Sequence, residues 1–117
     1  MHRLWRAAVN SWNGLCAVAR SEEAFRQEAL VFVVSVPLAF LVATAPWKRL
    51  ALILVIVLIM IVELLNTAIE KLGDRVSVEP DPRMGLIKDF ASAAVGLSLL
   101  VAAAVWLFAI IERLGLI

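Results

Sequence analysis

The sequence predicts an all-α integral membrane protein, with an N-terminal amphipathic surface helix followed by three transmembrane helices. Hydrophobic residues make up 63% of the 117 residues, whereas apolar residues are about 45–50% of a soluble domain. They are concentrated between Glu28 and Lys48, from Leu50 to Val62 and onward, and between Asp89 and Glu112, in stretches without charge. Each stretch belongs to a segment that can form the roughly 20-residue helix needed to cross a hydrocarbon core.

Residues 1–21 have the pattern of a helix that lies on a membrane surface. Apolar residues recur at helical spacing and polar residues fall on another face. The apolar residues are Trp5, Ala8, Val9, Trp12, Cys16 and Ala19, and the polar ones are Arg6, Asn10, Asn13 and Arg20. Tryptophan and arginine together favour the membrane interface. An ordinary helix packed on a partner is the alternative.

The rest of the chain divides into three spans within one membrane domain, residues 1–117. We predict transmembrane helices over 22–45, 47–76 and 84–114, with a polar connection over 77–83. Ser21 is the expected N-cap of the first span. In the second connection, prolines prevent the preceding helix from continuing.

Lysine and arginine place both the N-terminus and the second connection on the cytoplasmic side, by the positive-inside rule. The cytoplasmic flanks carry Arg3, Arg6, Arg20, Arg26, Lys71, Arg75, Arg83 and Lys88, whereas the opposite side carries Lys48, Arg49 and Arg113. The net charge of +1 gives no electrostatic basis for nucleic-acid binding. Cys16 is the single cysteine, so an intrachain disulfide and a multi-cysteine metal site are both excluded.

Carboxylates gather on the same predicted side. Glu22, Glu23 and Glu28 open the first span, Glu63, Glu70 and Asp74 end the second, and Asp89 opens the third. At 100° per residue, Glu63, Asn66, Glu70 and Asp74 lie within about 80° of one another. They form one polar stripe on an otherwise apolar helix.

Glu63 is the sharpest functional candidate on this stripe. It follows thirteen uncharged residues and lies about 10 Å deeper than Glu70. An isolated charge at that depth costs at least ~2.5 kcal/mol, so the side chain should face the bundle interior. A general base suits this position. A protonated glutamate that bonds Asn66 or a neighbouring helix as structural glue explains it equally well.

Clustered carboxylates beside a lysine also suit a hard cation with a phosphorylated substrate. Mg²⁺ takes oxygen ligands and usually binds through one or two carboxylates plus substrate phosphates. Lys88, next to Asp89, is the cation expected to meet phosphate. The sequence contains no GxxxxGK phosphate loop and no soluble-kinase signature set, so the mechanisms built on those motifs are excluded.

Three blocks of the sequence resemble the prokaryotic diacylglycerol kinases. The blocks are Ala24-Phe25-Arg26-Gln27-Glu28, then Glu63-Leu64-Leu65-Asn66-Thr67-Ala68-Ile69-Glu70 followed by Asp74-Arg75, and Lys88-Asp89 with Ser92-Ala93-Ala94-Val95. The similarity runs without an evident gap from the surface helix through the third span, and the ExxNxAIExxxD stretch is specific.

The resemblance implies ATP-dependent, Mg²⁺-dependent phosphorylation of diacylglycerol to phosphatidic acid by a homotrimer in the bacterial cytoplasmic membrane, with active sites shared between subunits. Glu63 matches the family's general base, Glu22 and Glu70 its metal ligands, and Asn66 and Asp74 supporting positions. Further matches are implied for the two substrates. Nucleotide contacts fall on Arg3, Asn10, Glu22, Glu70, Glu79, Asp81, Lys88 and Asp89, and lipid contacts on Arg3, Ser11, Trp12, Phe25, Arg26, Glu28, Glu63, Ser92 and Trp106.

Some positions depart from the family pattern. Asn10 stands where tyrosine is usual, Asn13 stands where lysine is common, and residues 78–83 replace a Glu-Tyr-His-like segment. An undecaprenol kinase of the same family is the nearest alternative function. A proton-coupled transporter fits less well, because the first span has no charge between Glu28 and Lys48. A non-enzymatic scaffold would have no reason to gather carboxylates on one side.

Overall fold

The computed structural model describes residues 1–77 and 79–117; Val78, within the predicted 77–83 connection, lies outside the described residues. Four helices follow in order, α1 (His2–Ser21), α2 (Glu23–Val42), α3 (Pro46–Val76) and α4 (Pro82–Arg113). The described residues contain no strand. By length and composition α2, α3 and α4 could each cross a membrane. The predicted all-α membrane class is confirmed.

The junction between α1 and α2 differs from the prediction that Ser21 caps α2. Ser21 is the last residue of α1, and Glu22 occupies the N-cap position of α2 with extended backbone and no capping hydrogen bond from its side chain. The reason lies in α1, which continues because the Glu22 backbone N–H donates to the Val18 carbonyl at 2.8 Å. The Arg26 guanidinium adds hydrogen bonds of 2.9 and 3.0 Å to the carbonyls of Ala19 and Arg20. Those bonds satisfy carbonyls that the end of a helix leaves unpaired.

Prolines set the beginnings of α3 and α4. Pro46 and Pro82 lie in the first turn of their helices. Backbone N–H groups in the first turn have no intrahelical acceptor, so the lack of an N–H in proline costs nothing there, and its fixed φ favours the helix. Asp81 caps α4, since its Oδ1 accepts a 2.9 Å hydrogen bond from the backbone N–H of Arg83. Both connections are therefore short and locally determined.

The α3 helix is the centre of the bundle. It packs against both α2 and α4, whereas α2 and α4 touch each other little. Small buried residues permit the close approach on both sides of α3. On α2, Ala39 and Ala43 pack against Leu52. On α4, Ala102 packs against Ile56 and Ile59. Most large apolar side chains on the outer faces are exposed, as expected of surfaces that contact lipid.

Polar contacts join the three spans at the end of the bundle formed by the α2–α3 connection and the last turn of α4, which we call the hairpin end. Arg49 Nε donates to the Ala43 carbonyl at 2.8 Å, and Arg113 Nε donates to the Leu41 carbonyl at 3.3 Å. Lys48 pairs with Glu112. The arginines complete carbonyls at the C-terminus of α2 that lack intrahelical donors.

Trp106 ties α4 to α3 near the hairpin end, because its Nε1 donates to the Leu52 carbonyl at 3.0 Å. Replacing Trp106 with phenylalanine keeps an aromatic ring but removes this donor. We expect Trp106→Phe to lower the free energy of unfolding by about 1 kcal/mol, measured by denaturant titration in mixed micelles. Trp47→Phe is the matched control, since Trp47 is 69% exposed and should have no measurable effect. Equal losses in the two variants would contradict a stabilising role for the hydrogen bond.

Candidate functional site

The polar stripe predicted on α3 passes from the interior of the bundle to its surface. Glu63, Asn66 and Thr67 are 9%, 8% and 7% exposed, whereas Glu70 and Asp74 are exposed. The helix places these residues on one side because they recur at intervals of three and four. We call this end of the bundle, with the beginnings of α2 and α4, the carboxylate end.

Glu63 lies in a buried group of polar side chains. Thr67 Oγ1, one turn further along α3, donates to Glu63 Oε1 at 3.5 Å. Glu28 on α2 faces Glu63 closely enough for the two carboxyl charges to interact. Glu28 Oε1 and Asn66 Oδ1 are buried and have no hydrogen-bond partner among the described residues. The group therefore holds more acceptors than donors.

Unpaired buried acceptors have an energetic consequence. Each costs about 1–3 kcal/mol relative to a satisfied group. A ligand that brings a donor, such as a hydroxyl group, would recover part of that cost at Glu28 and Asn66.

The outer part of the stripe carries the predicted metal ligand Glu70, and the residue after it contacts the other predicted ligand, Glu22. Asn66 Nδ2 donates to Glu70 Oε1 at 3.3 Å, and Lys71, the next residue, pairs with Glu22 Oε1 at 3.3 Å. The ion pair draws the α1–α2 junction to the end of α3. No group of three or more acidic, histidine or cysteine side chains that could hold a metal is found within residues 1–77 and 79–117.

Two carboxylates are nevertheless a suitable donor set for Mg²⁺. This ion keeps several water ligands and commonly binds through one or two carboxylates together with substrate phosphates. Glu22 and Glu70 supply hard oxygen donors of the required kind, and both are at the surface or partly exposed to it. The residues present therefore fit a magnesium ion that arrives with a phosphorylated ligand.

The start of α4 contributes a second polar region. Lys88 Nζ pairs with Asp74 Oδ1 at 2.6 Å, and the two residues line a cavity of about 540 Å³ together with Ser77, Glu79 and Asp81. The α3 and α4 helices approach each other closely here. A Cβ added at Gly73 would lie only 3.0 Å from Lys88 Cε. Lys88 therefore lines the same cavity as Glu79 and Asp81, which are predicted nucleotide contacts.

Other predicted site residues lie at the surface of the single chain or far from Glu63 along the bundle. Side chains on α1 and at the start of α4 are exposed, namely Arg3, Asn10, Ser11, Trp12, Asp89 and Ser92. Trp106 lies at the level of Leu52, eleven residues or about 16 Å along α3 from Glu63. Trp106 would therefore contribute to a site at Glu63 only through another subunit or an extended ligand.

Phe25 and Arg26 have different surroundings. Phe25 is buried and lines an apolar groove of about 220 Å³ with Leu15, Phe32, Met60 and Leu64. Arg26 is used within the chain, since its guanidinium bonds the last carbonyls of α1. The groove follows α3 on the level of Leu64, next to Glu63, and its lining matches an acyl chain in chemistry.

The sequence did not identify Thr67 and Lys71 as residues of the functional site. Thr67 follows Glu63 by four residues and Lys71 follows Glu70 directly. The interval of four was an available signal, because side chains at i and i+4 are neighbours on a helix. The pairing of Lys71 with Glu22 had no signal of this kind, since it depends on how the α1–α2 junction folds against α3.

Thr67 supplies the hydroxyl donor to Glu63. We expect Thr67→Val to lower kcat about two- to fivefold, because an approximately isosteric side chain removes one long hydrogen bond to Glu63, worth up to about 1 kcal/mol. The measurement is kcat, at saturating substrates, for the lipid phosphorylation that the family resemblance implies. Thr67→Ser should retain most of the activity, and a loss as large as that in Thr67→Val would contradict the role of the hydroxyl.

The fold and the site together define a class of protein: a small helical membrane protein that carries buried carboxylates and paired lysines at one end of its bundle. Residues 9–110 match the model of the prokaryotic diacylglycerol kinase family. A diacylglycerol kinase of Escherichia coli K12 is 38% identical over 113 residues, covering 97% of this chain and 93% of the relative. One of Pseudomonas aeruginosa is 42% identical over 106 residues, covering 91% and 86%. One of Haemophilus influenzae is 33% identical over 96 residues, covering 82% and 81%.

The chain belongs to the prokaryotic diacylglycerol kinase family. The resemblance inferred from the three sequence blocks is confirmed. The match includes α2, α3 and most of α1 and α4, so it covers every helix that contributes to the carboxylate end.

Proposed function

We propose that the chain transfers the γ-phosphoryl group of ATP to the hydroxyl of diacylglycerol and so forms phosphatidic acid. The reaction takes place at the cytoplasmic face of the bacterial inner membrane, where the positive-inside rule puts the carboxylate end. One observation supports this proposal above the others. Glu63 is buried in an apolar span beside unpaired acceptors, in a chain of a family named for this activity.

In the proposed mechanism, Glu63 accepts the proton of the lipid hydroxyl. The hydroxyl oxygen then attacks the γ-phosphorus, the bond from that phosphorus to the β–γ bridging oxygen breaks, and ADP leaves. Glu28 and Asn66, whose buried oxygens have no partner among the described residues, orient the glycerol part of the lipid. Thr67 holds the Glu63 carboxylate in position. A positioned general base contributes about 10²–10⁴-fold to such a reaction.

Glu22 and Glu70 are the proposed ligands of Mg²⁺. These two carboxylates would hold the ion, which would offset the negative charge that develops on the transferring phosphoryl group. Asn66 orients Glu70 through the hydrogen bond from its Nδ2. Most of the catalytic effect is expected from positioning and electrostatics, as is usual in phosphoryl transfer.

The nucleotide is proposed to bind at the start of α4. Lys88 lies in the 540 Å³ cavity with Glu79 and Asp81, and Asp89 follows it on the helix. Lys88 exchanges Asp74 for a phosphate oxygen when the nucleotide binds. Arg3 and Asn10 are exposed on α1, which leaves them available to complete the site.

The lipid is proposed to enter laterally from the bilayer, with an acyl chain along the groove lined by Phe25 and Leu64. Further lipid contacts are proposed for Arg3, Ser11, Trp12, Arg26, Ser92 and Trp106. Most of these are exposed, and Trp106 is distant from Glu63, in one chain, which leaves room for a neighbouring subunit to complete each site in the homotrimer that the family resemblance implies.

The test is an assay of the purified chain in mixed micelles with ATP and short-chain diacylglycerol, with and without Mg²⁺, and with undecaprenol as a competing substrate. We expect Mg²⁺-dependent formation of phosphatidic acid. Preferential phosphorylation of undecaprenol would instead assign the other lipid specificity. A folded oligomer that phosphorylates neither lipid would overturn the proposed activity and redirect attention to transport.

A further inference from the structure

Lys71 contacts one proposed metal ligand, Glu22, and is the sequence neighbour of the other, Glu70. It directly follows Glu70 on α3, and its Nζ lies 3.3 Å from Glu22 Oε1. The Lys71 side chain is 64% exposed and that of Glu22 is 30% exposed. Exposed ion pairs are weak and exchange readily, and the ammonium group is a point charge on a flexible four-carbon stem. The pair can therefore open without any change in the helices.

We infer that Lys71 is the resident counterion of the metal-free site, and that it makes the site take up the metal together with the nucleotide rather than alone. This inference rests on the proposed function, since it assumes that Glu22 and Glu70 hold the metal. Lys71 has no part in the proposed catalytic steps.

The signs of the charges decide which ligand Lys71 favours. Glu22 and Glu70 carry two negative charges, and Lys71 reduces that total by one. A bare divalent cation that enters must displace Lys71 from Glu22 and then stay beside a positive charge. A unit charge next to a divalent ion changes the affinity for that ion by about tenfold even in a water-like dielectric. Lys71 therefore opposes the binding of the metal alone.

The same charge favours the metal–nucleotide complex. A nucleoside triphosphate that chelates one divalent cation keeps a net negative charge, so Lys71, once released from Glu22, meets phosphate oxygens instead of a bare cation. Lys88 shows the same arrangement at the start of α4, where it pairs with Asp74. Both lysines of the carboxylate end thus neutralise carboxylates before a ligand arrives.

The test measures binding rather than turnover. The full-length chain in detergent micelles is titrated with Mn²⁺ alone, read by electron paramagnetic resonance, and separately with a non-hydrolysable ATP analogue in saturating Mg²⁺. We expect Lys71→Met to bind Mn²⁺ about tenfold more tightly and the Mg²⁺–nucleotide complex at least threefold more weakly. Lys71→Arg, which keeps the charge, should resemble the unsubstituted chain in both titrations.

Two controls keep the result interpretable. Lys48→Met removes the other lysine that pairs with a glutamate, at the hairpin end, and should alter neither titration. Glu22→Gln should weaken Mn²⁺ binding. If Glu22→Gln weakens it and Lys71→Met changes neither constant, the role of Lys71 is wrong and the proposed metal ligands stand. If Glu22→Gln has no effect on Mn²⁺ binding, the metal assignment fails, and the inference about Lys71 fails with it.

Discussion

Glu63→Gln should lower kcat by about 10²–10⁴-fold, the contribution expected of a general base, while helical content, oligomer size and nucleotide affinity stay unchanged. The substitution keeps the size of a buried side chain and one acceptor oxygen, and it removes the carboxylate that accepts a proton. The variant should therefore keep the fold of the unsubstituted chain.

The measurement pairs phosphorylation of short-chain diacylglycerol with binding of a non-hydrolysable ATP analogue. Glu23→Gln is the matched control, because Glu23 is an exposed carboxylate next to a proposed metal ligand and is given no role here. Its kcat should stay within twofold of the unsubstituted chain. Normal turnover in Glu63→Gln would remove Glu63 as the base and return it to a structural role between α2 and α3.

Glu70→Gln is expected to have the second large effect, on the metal requirement. The amide cannot supply the negative charge that a hard cation prefers, so the Mg²⁺ concentration for half-maximal activity should rise at least tenfold and kcat should fall about 10²-fold. The Asn66 Nδ2 hydrogen bond to residue 70 is retained, since the glutamine oxygen still accepts it. Structural disturbance should therefore be small.

The measurement is the dependence of initial rate on Mg²⁺ at fixed free ATP. Asp74→Asn provides a contrast within the same stripe: Asp74 pairs with Lys88 and has no proposed part in metal binding, so its Mg²⁺ dependence should be unchanged. An unaltered Mg²⁺ dependence in Glu70→Gln would exclude Glu70 as a ligand.

The placement of these residues on α3 follows from the chain alone. A helix turns by a constant angle per residue, so the intervals among Glu63, Asn66, Glu70 and Asp74 put them on one side whatever the helix packs against. The charge-free spans likewise predict membrane helices, because burial of backbone polar groups in lipid leaves helices as the available structure. Helical content and the direction of the stripe were therefore predictable.

The cap of α2 was not predictable in the same way. Ser21 has the right residue type for an N-cap, but α1 runs through it, stabilised by the Glu22 backbone hydrogen bond and by Arg26 from the first turns of α2. Local propensity favoured Ser21 as the cap of α2, whereas contacts between α1 and α2 move the cap to Glu22.

The sequence by itself determined the helical, membrane-spanning class and the polar stripe, because both depend on composition, period and local spacing, and its three matching blocks indicated the family by resemblance. The tertiary structure alone decided which partners those side chains meet: Glu28 opposite Glu63, Glu22 beside Lys71, and Lys88 on Asp74. These partners come from different helices. Their distances depend on how the helices pack, and no interval along the chain encodes that packing.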